Sequence, residues 1–378
     1  MDTFPKSEKI NFSRKPDPAP RVIQPRSPRY NVEVGRSLKK MENALKDGHS
    51  RMWGGPTVMK GYNANATAME MRKMWDQFNR PVAISIDAVR FDQHVSADAL
   101  EYEHSVYLDC VPQRDRATLA RLLRWQIQNR GFYRGADGTI KYEVLGRRMS
   151  GDMNTGMGNC LLMCTLFWTY LKQHGIRGRL ANNGDDCVLI VESHNLRRIN
   201  DTLSQFFLEA GFVLTVEKPV YVFEEIDFCQ CHPVQVPGGW RMVRDPRTAV
   251  DKDLTTQLNI SDDKGFAAWR SAMGQCELAL GSGIPVWQCF AEMLLRDTSG
   301  PAPTIELIHS SGMSFLCGNM TAKHAPIAVE TRVSFWRAFG ITPDMQQTME
   351  TTFLTTQLNN RVNDLRISPL LGFNHLWQ

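Results

Sequence analysis

Apolar residues along the chain follow two periods, and the places where the period changes mark its elements. In Val82-Ala83-Ile84-Ser85-Ile86-Asp87, the residues Val82, Ile84 and Ile86 share a face at a spacing of two. This predicts a strand with Asp87 on the opposite face near its C-terminal end. Gly178-Arg179-Leu180-Ala181 and Cys187-Val188-Leu189-Ile190-Val191-Glu192 flank the polar run Asn182-Asn183-Gly184-Asp185-Asp186. That order of strand, Asn-Gly turn and strand predicts a hairpin with two carboxylates at its tip. Helical spacing governs Cys160, Cys164, Phe167 and Leu171, which predicts a helix from about Thr155 to His174 ended by Gly175. The same spacing in Leu196, Ile199, Leu203, Phe206, Phe207 and Ala210 predicts an amphipathic helix ended by Gly211. Further helices are expected from Asn65 to Phe78 and from Ser96, a strand from Phe212 to Val216, and a hairpin over 221–236.

The first sixty residues read differently. Pro5, Pro16, Pro18, Pro20, Pro25, Pro28 and Pro56 predict extended backbone with a short helix around Gly35 to Leu45. Val22, Ile23, Val32 and Val34 interrupt the prolines and arginines with β-branched residues, favouring an ordered ribbon over a disordered basic tail. Residues 110–148 combine a basic helix with a glycine-rich hairpin around Gly135 and Gly138. From about Pro237, Trp240, Arg241, Arg244 and Arg247 lead into helices rich in Ala, Leu, Met and Trp. The expected organisation is α+β, in three parts. Residues 1–80 carry the ribbon, 81–236 form a sheet-and-helix core interrupted by an insertion at about 110–148, and 237–378 are mostly helical.

Composition narrows the class. With 378 residues, 42% of them hydrophobic, the chain is globular and long enough for two or three subdomains. Its net charge of +4 is unevenly spread. Residues 14–40 hold eight Lys or Arg against Asp17 and Glu33, a local +6 that leaves −2 elsewhere and suits a channel receiving phosphates. Nine cysteines without a Cys-x-x-Cys pair argue against a disulfide framework. Cys229-Gln230-Cys231-His232 lacks the usual zinc-ligand spacing. No signal peptide is visible, and no run of 18 apolar residues could span a bilayer.

The candidate chemistry is carboxylate chemistry. Adjacent Asp185 and Asp186 repel, and keeping both charged at neutral pH calls for a cation such as Mg²⁺ or Mn²⁺, although Asn, Gly and Asp are also ordinary turn residues. Asp87 ends the strand and Asp92 follows a turn away, where an isolated Asp commonly caps or pairs a neighbour. In Ser150-Gly151-Asp152-Met153-Asn154-Thr155-Gly156-Met157-Gly158-Asn159, the two glycines inside a predicted helix each cost about 1 kcal/mol against Ala. Something there must need close approach of the backbone. Together Asp87, Asn159, Asp185 and Asp186 would make one floor able to hold two divalent cations for phosphoryl transfer.

The wording and order of these motifs resemble the RNA-dependent RNA polymerases of positive-strand RNA viruses, closest to the tombusvirus, carmovirus and umbravirus group of plant viruses. Four segments carry the match: Asp87 to Ser96, Ser150 to Thr155 with Asn159, Asn183 to Asp186, and Lys218. Pro20 to Pro25 and Phe228 to Cys231 match weaker motifs, and the likeness runs from residue 15 to about 300. The resemblance implies a right-hand fold of palm, fingers and thumb, with residues 1–80 as a fingers remnant, 81–236 as palm and 237–378 as thumb. It implies that Asp87 and Asp185 are the principal ligands of two Mg²⁺ ions, with Mn²⁺ possible and Asp186 assisting. Asp92 and Asn159, with Ser150 and Thr155 nearby, would hold the ribose 2′-hydroxyl, and Lys218 would act as general acid toward pyrophosphate. Arg21 and Lys15 would bind the incoming triphosphate, Ile23 would pack on its base, and Cys229, Gln230, Cys231 and His232 would form a loop steadying the priming end.

The implied partners are a single-stranded RNA template, nascent RNA, NTPs and other viral replication proteins. The implied setting is host cytoplasm, in membrane-associated complexes anchored by an upstream segment or a partner. One departure is that only about fourteen residues precede the ribbon, where the group has a sizeable fingers region. A missing N-terminal portion is the expected reason. Two readings compete: a reverse transcriptase, against which Asp92 and Asn159 argue, and a non-catalytic RNA-binding relative, against which the retained carboxylates and Lys218 argue.

Overall fold

The computed structural model describes residues 1–8, 19–296 and 313–358. The chain divides into two compact units, one built from residues 1–60 and 77–219, the other from residues 61–76 and the chain from Val220 onward.

The first unit is organised around a four-stranded antiparallel sheet. Its strands are β3 (Pro81–Ala88), β6 (Gly178–Asn183), β7 (Asp186–Glu192) and β8 (Leu214–Val216), in the order β6-β7-β3-β8. Val82, Ile84 and Ile86 of β3 point into the core, as the period of two predicts, while Asp87 is exposed on the other face. Cys187, Leu189 and Val191 of β7 join them. Helices α6 (Thr155–Gln173) and α7 (Leu196–Glu209) bury their apolar stripes against this face, with the Phe167 and Phe207 rings 4.8 Å apart. Gly175 and Gly211 follow these helices at φ +61° and +89°, the left-handed conformation that ends a helix.

A second, mixed sheet in this unit has the order β2-β1-β4-β5. Strand β1 (Asp2–Pro5) pairs antiparallel with β2 (Val22–Ile23) and parallel with β4 (Gln128–Gly135), and β4 forms the expected glycine-rich hairpin with β5 (Gly138–Leu145). Among the described residues of the ribbon, the strand is therefore only Val22–Ile23. Val32 and Val34 lie not in it but on α1 (Pro28–Trp53), which is far longer than the helix expected around Gly35 to Leu45. Pro28 occupies the first turn, where its missing N–H costs nothing, and the Ser27 hydroxyl accepts the Tyr30 N–H. Tyr30, Val34, Leu38 and Met41 then form a buried helical stripe. The turn carrying Asp92 is the short helix α3 (Phe91–His94). Ser96 caps α4 (Ala97–Cys110) through the Ala99 N–H, and α5 (Gln113–Arg124) precedes β4.

In the second unit, α2 (Ala64–Trp75) accompanies the hairpin of β9 (Cys231–Val236) and β10 (Gly239–Arg244). The hairpin expected over 221–236 is thus displaced, and Trp240, Arg241 and Arg244 stand on a strand rather than at the start of a helix. The turn that joins its strands is Pro237-Gly238, with Gly238 at φ +83°. Helices α8 (Pro246–Asp253), α9 (Asp263–Gly281) and α10 (Trp287–Leu295), with the helices Val329–Phe339 and Pro343–Thr355, supply a core that includes Trp269, Met273, Phe290, Phe335 and Phe353. Among the described residues, no helix is long and apolar enough to cross a membrane.

Candidate active site

The acidic turn follows directly from sheet register. Asn183 pairs with Asp186, so the loop between β6 and β7 is the two residues Gly184-Asp185, and only Gly184, at φ +88°, is left-handed. Glycine at the first of two loop positions is the signature of a type II′ turn, not of the Asn-Gly turn the sequence suggests. Asn182, fully buried, braces it: its Oδ1 accepts the Gly184 N–H at 3.3 Å, while Nδ2 donates to the Gly184 carbonyl at 2.6 Å and to Cys187 Sγ at 3.1 Å. Its backbone is held too, since Asn182 N–H donates to the Thr57 carbonyl and Met59 N–H to the Asn182 carbonyl.

Asp87 lies one step beyond the Ile86–Cys187 pair of β3 and β7 and is itself paired with Thr215 of β8, which brings it beside the turn. Burial pushes the half-buried Asp185 carboxyl above the usual range, and the charges of Asp92 and Asp87 push it further, while its own backbone N–H and Arg21 draw it back. Three carboxylates therefore act on one another at the open end of the sheet. Asp186 is exposed, the next residue along β7. Asp92 is also raised, first by burial, against which the Asn159 hydrogen bond and the Arg148 charge pull down. Asn159 Nδ2 donates to Asp92 Oδ1 at 2.9 Å, and its Oδ1 is buried without a hydrogen-bond partner among the described residues. A buried amide oxygen in that state is an acceptor waiting for a hydroxyl or N–H.

Helix α6 supplies Asn159, and one of its glycines is explained by packing. A Cβ on Gly158 would fall 2.4 Å from Oε1 of the buried Glu103, whereas one on Gly156 would meet only the tip of the exposed Lys60 side chain, which can swing aside. Thr155 opens the helix with its hydroxyl on the Met149 and Asp152 carbonyls, closing the loop before it. The Ser150 hydroxyl accepts the Gln24 N–H at 3.1 Å and faces Gln24 Oε1 at 3.1 Å, tying that loop to the ribbon. Arg26 extends the tie, pairing with the buried Asp152 and donating to Asn129 Oδ1 at 2.6 Å and the Trp125 carbonyl at 2.9 Å.

Arg21 stands on the ribbon within electrostatic reach of Asp185, and its guanidinium grips both carboxylate oxygens of Glu8. Ile23 is half-buried opposite Phe4. Lys218 is exposed just past β8, next to Glu217, whose N–H donates to the Ser85 carbonyl. Lys15 lies outside the described residues. In the second unit, Cys229 and Gln230 sit at φ +54° and +61°, making a two-residue turn between Phe228 and Cys231, which exchange backbone hydrogen bonds at 2.9 and 3.1 Å. Two left-handed non-glycine residues in succession hold that tip in a strained shape. Burial pushes the Cys231 thiol to about 12, and His232 Nδ1 faces the Glu224 carbonyl at 3.2 Å.

The donors are hard carboxylate oxygens, which suit Mg²⁺ or Mn²⁺ rather than a softer metal. Among the described residues no three His, Cys, Asp or Glu side chains are grouped so that they alone could hold a metal ion.

The model of the viral RNA-dependent RNA polymerase family matches residues 1–361. The chain belongs to this family. It is 46% identical over 358 residues to the RNA-directed RNA polymerase of tomato bushy stunt virus (strain Cherry), covering 93% of this chain and 42% of that protein. It is 43% identical over 366 residues to that of turnip crinkle virus, covering 95% and 46%, and 43% over 364 residues to that of carnation mottle virus, covering 96% and 47%. The chain thus spans about half the length of the curated relatives it matches. Within this family member the side chains that local patterning does not disclose are Glu103, Arg148 and Glu8, while Asn182 and Asn154 stand inside motifs the sequence singles out, without the bracing contacts they make. Only the odd glycine at 158 signalled Glu103, by requiring that something approach the α6 backbone.

Proposed function

We propose that this chain carries the catalytic core of a template-directed RNA polymerase, joining ribonucleotides from NTPs to an RNA 3′-hydroxyl in the replication of a positive-strand RNA genome. The observation that carries the reading is the convergence of Asp87, Asp185 and Asp92 at one sheet end, with the Asp92–Asn159 pair beside them and the Asn159 acceptor unmet. Asp87 and Asp185, with Asp186 adjacent, would hold Mg²⁺ or Mn²⁺. Two such ions when bound supply the charge that acidifies the 3′-hydroxyl and neutralises pyrophosphate.

The chain's own groups do the rest. Asp92 and Asn159 receive the ribose 2′-hydroxyl, which can donate to the waiting Asn159 oxygen; a deoxynucleotide leaves that oxygen unpaired, so it is penalised. Arg21 exchanges the Glu8 carboxylate for the triphosphate, two anions of similar bidentate geometry. Lys218 offers its ammonium proton to the departing pyrophosphate, and the strained Cys229-Gln230 tip steadies the priming end. In this reading residues 81–236 form the palm, 1–80 and 110–148 belong to the fingers, and 237–378 form the thumb. Single-stranded RNA and other replication proteins are the partners, in membrane-associated complexes of the host cytoplasm.

The test is incorporation of each NTP and dNTP on an RNA template under Mg²⁺ and Mn²⁺. Asp185→Asn should lower incorporation by about 10³-fold or more. Ordinary activity in that variant would sink the assignment.

A further inference from the structure

Behind the carboxylates lies a buried ion pair with no part in the chemistry above. Glu103 of α4 and Arg148 are both closed to solvent, their side chains 0% exposed. Arg148 Nη1 donates to Glu103 Oε1 at 3.1 Å and its Nη2 donates to Oε2; Tyr107 OH at 2.7 Å and Asn154 Nδ2 at 2.6 Å also donate to Oε1. Asn154 is held in turn, its Oδ1 accepting from Gln126 Nε2 at 2.8 Å, while Gln126 Oε1 faces His104 Nε2 at 3.1 Å. Burial pushes the Glu103 carboxyl up, but the Arg148 charge and the hydrogen bonds from Arg148 and Tyr107 outweigh it and hold Glu103 below the usual range.

Both ends of this pair reach the site. Arg148 N–H donates to the Asp92 carbonyl at 2.8 Å and Arg147 N–H to the Val95 carbonyl at 2.7 Å, so this segment fixes the turn that bears Asp92. Asn154 stands immediately before α6, and its carbonyl accepts the Gly158 N–H at 2.7 Å, one residue from Asn159. Gly158 lets Glu103 lie against the α6 backbone. The Asn159–Asp92 hydrogen bond closes the circuit, which runs from Asp92 through Arg148, Glu103, Asn154 and α6 back to Asp92. Removing two ions from water costs more than apolar packing of equal volume would. What the pair supplies in return is direction, since each of its bonds fixes an angle as well as a distance.

We infer that Glu103 and Arg148 are a positioning pair that sets the separation of Asp92 from Asn159, and through it the preference for ribose over deoxyribose. The inference rests on the polymerase reading. Neither residue touches nucleotide; each acts through the pair in front of it.

The test compares kcat/KM for ATP and dATP on an RNA template in the full chain, in Glu103→Gln, in Asn159→Ala and in the double variant. In Glu103→Gln the ATP to dATP ratio should fall by about 10- to 100-fold, with most of the loss in kcat for ATP. The double variant should discriminate no worse than Asn159→Ala alone. A parallel fall for both nucleotides with the ratio intact, or additive losses in the double variant, would show a merely structural role and overturn the inference. Should Glu103→Gln not fold by circular dichroism, Glu103→Leu with Arg148→Met removes both charges at similar volume; a folded protein of normal ratio overturns the inference equally. A parent chain inert on both nucleotides, and still inert when joined to the remaining length of a matched relative, overturns the polymerase reading and this inference together, whereas an active parent whose variants keep its ratio overturns the inference alone.

Discussion

The acidic turn shows what a single side chain decides. Two carboxylates at a hairpin tip were legible because Gly184-Asp185-Asp186 sits between apolar strands, yet the residue that shapes the tip is Asn182. Its amide occupies both backbone groups of Gly184, doing inside the protein what solvent does at an ordinary turn. Asn182→Ala strips those groups of the amide and leaves them only weak sulfur partners in Cys187 and Cys160, so the unfolding free energy should drop by about 1–3 kcal/mol in urea titration. An unchanged midpoint would mean the turn keeps its form without the brace. Asp87, Asp92 and Asn159 were equally visible in sequence, because each belongs to a run of distinctive residues. Glu103 and Arg148 were not: they lie 45 residues apart, one on a helix of mixed character and one in a basic pair that reads as surface charge. Ser150 and Thr155 stand in the same motif as Asn159, but their hydroxyls are engaged with the ribbon and the loop.

At the scale of elements, α6 is built against its own stability. Glycine to alanine in a helix interior ordinarily stabilises by about 1 kcal/mol. Gly48 of α1, with open space where a Cβ would go, should follow that rule. Gly158→Ala should do the reverse and destabilise by about 1–3 kcal/mol, because the methyl group would meet the Glu103 carboxylate. Chemical denaturation of the two variants side by side checks the pair, and equal signs would refute the packing argument. The elements that sequence misplaced share a cause. Val32 and Val34 two residues apart imitate a strand, although Tyr30, Val34 and Leu38 at helical spacing outvote them once Pro28 starts a helix. The hairpin near 221–236 was set too early because Cys229-Gln230 adopts left-handed angles that neither residue advertises.

Across the whole molecule, charge is the property most changed by folding. Eight cations between residues 14 and 40 suggested a free basic strip, but Arg26 is spent on Asp152 and Asn129, Arg21 grips Glu8, Arg36 faces Glu33 and Lys39 faces Glu42. Binding of single-stranded RNA should therefore weaken with salt less steeply than eight free phosphate contacts imply, a log–log slope smaller in magnitude than about 5–6. Fluorescence titration between 50 and 200 mM salt, values chosen as roughly the range where the effect is large, measures it. A slope at or above that limit would mean the internal pairs open on binding.

The tie between ribbon and loop reaches further than charge. Pro25 lies in bridge contact with Gly151, where a Cβ would meet Pro25 Cα at 2.5 Å, and Ser150 and Asp152 on either side bind Gln24 and Arg26. The strip holding Arg21 and the loop opening α6 are consequently pinned together over three successive residues. On the function proposed above, that seam would set the spacing between the backbone at Arg21 and Asn159, and so serve as a gauge of the nucleotide from phosphate to sugar.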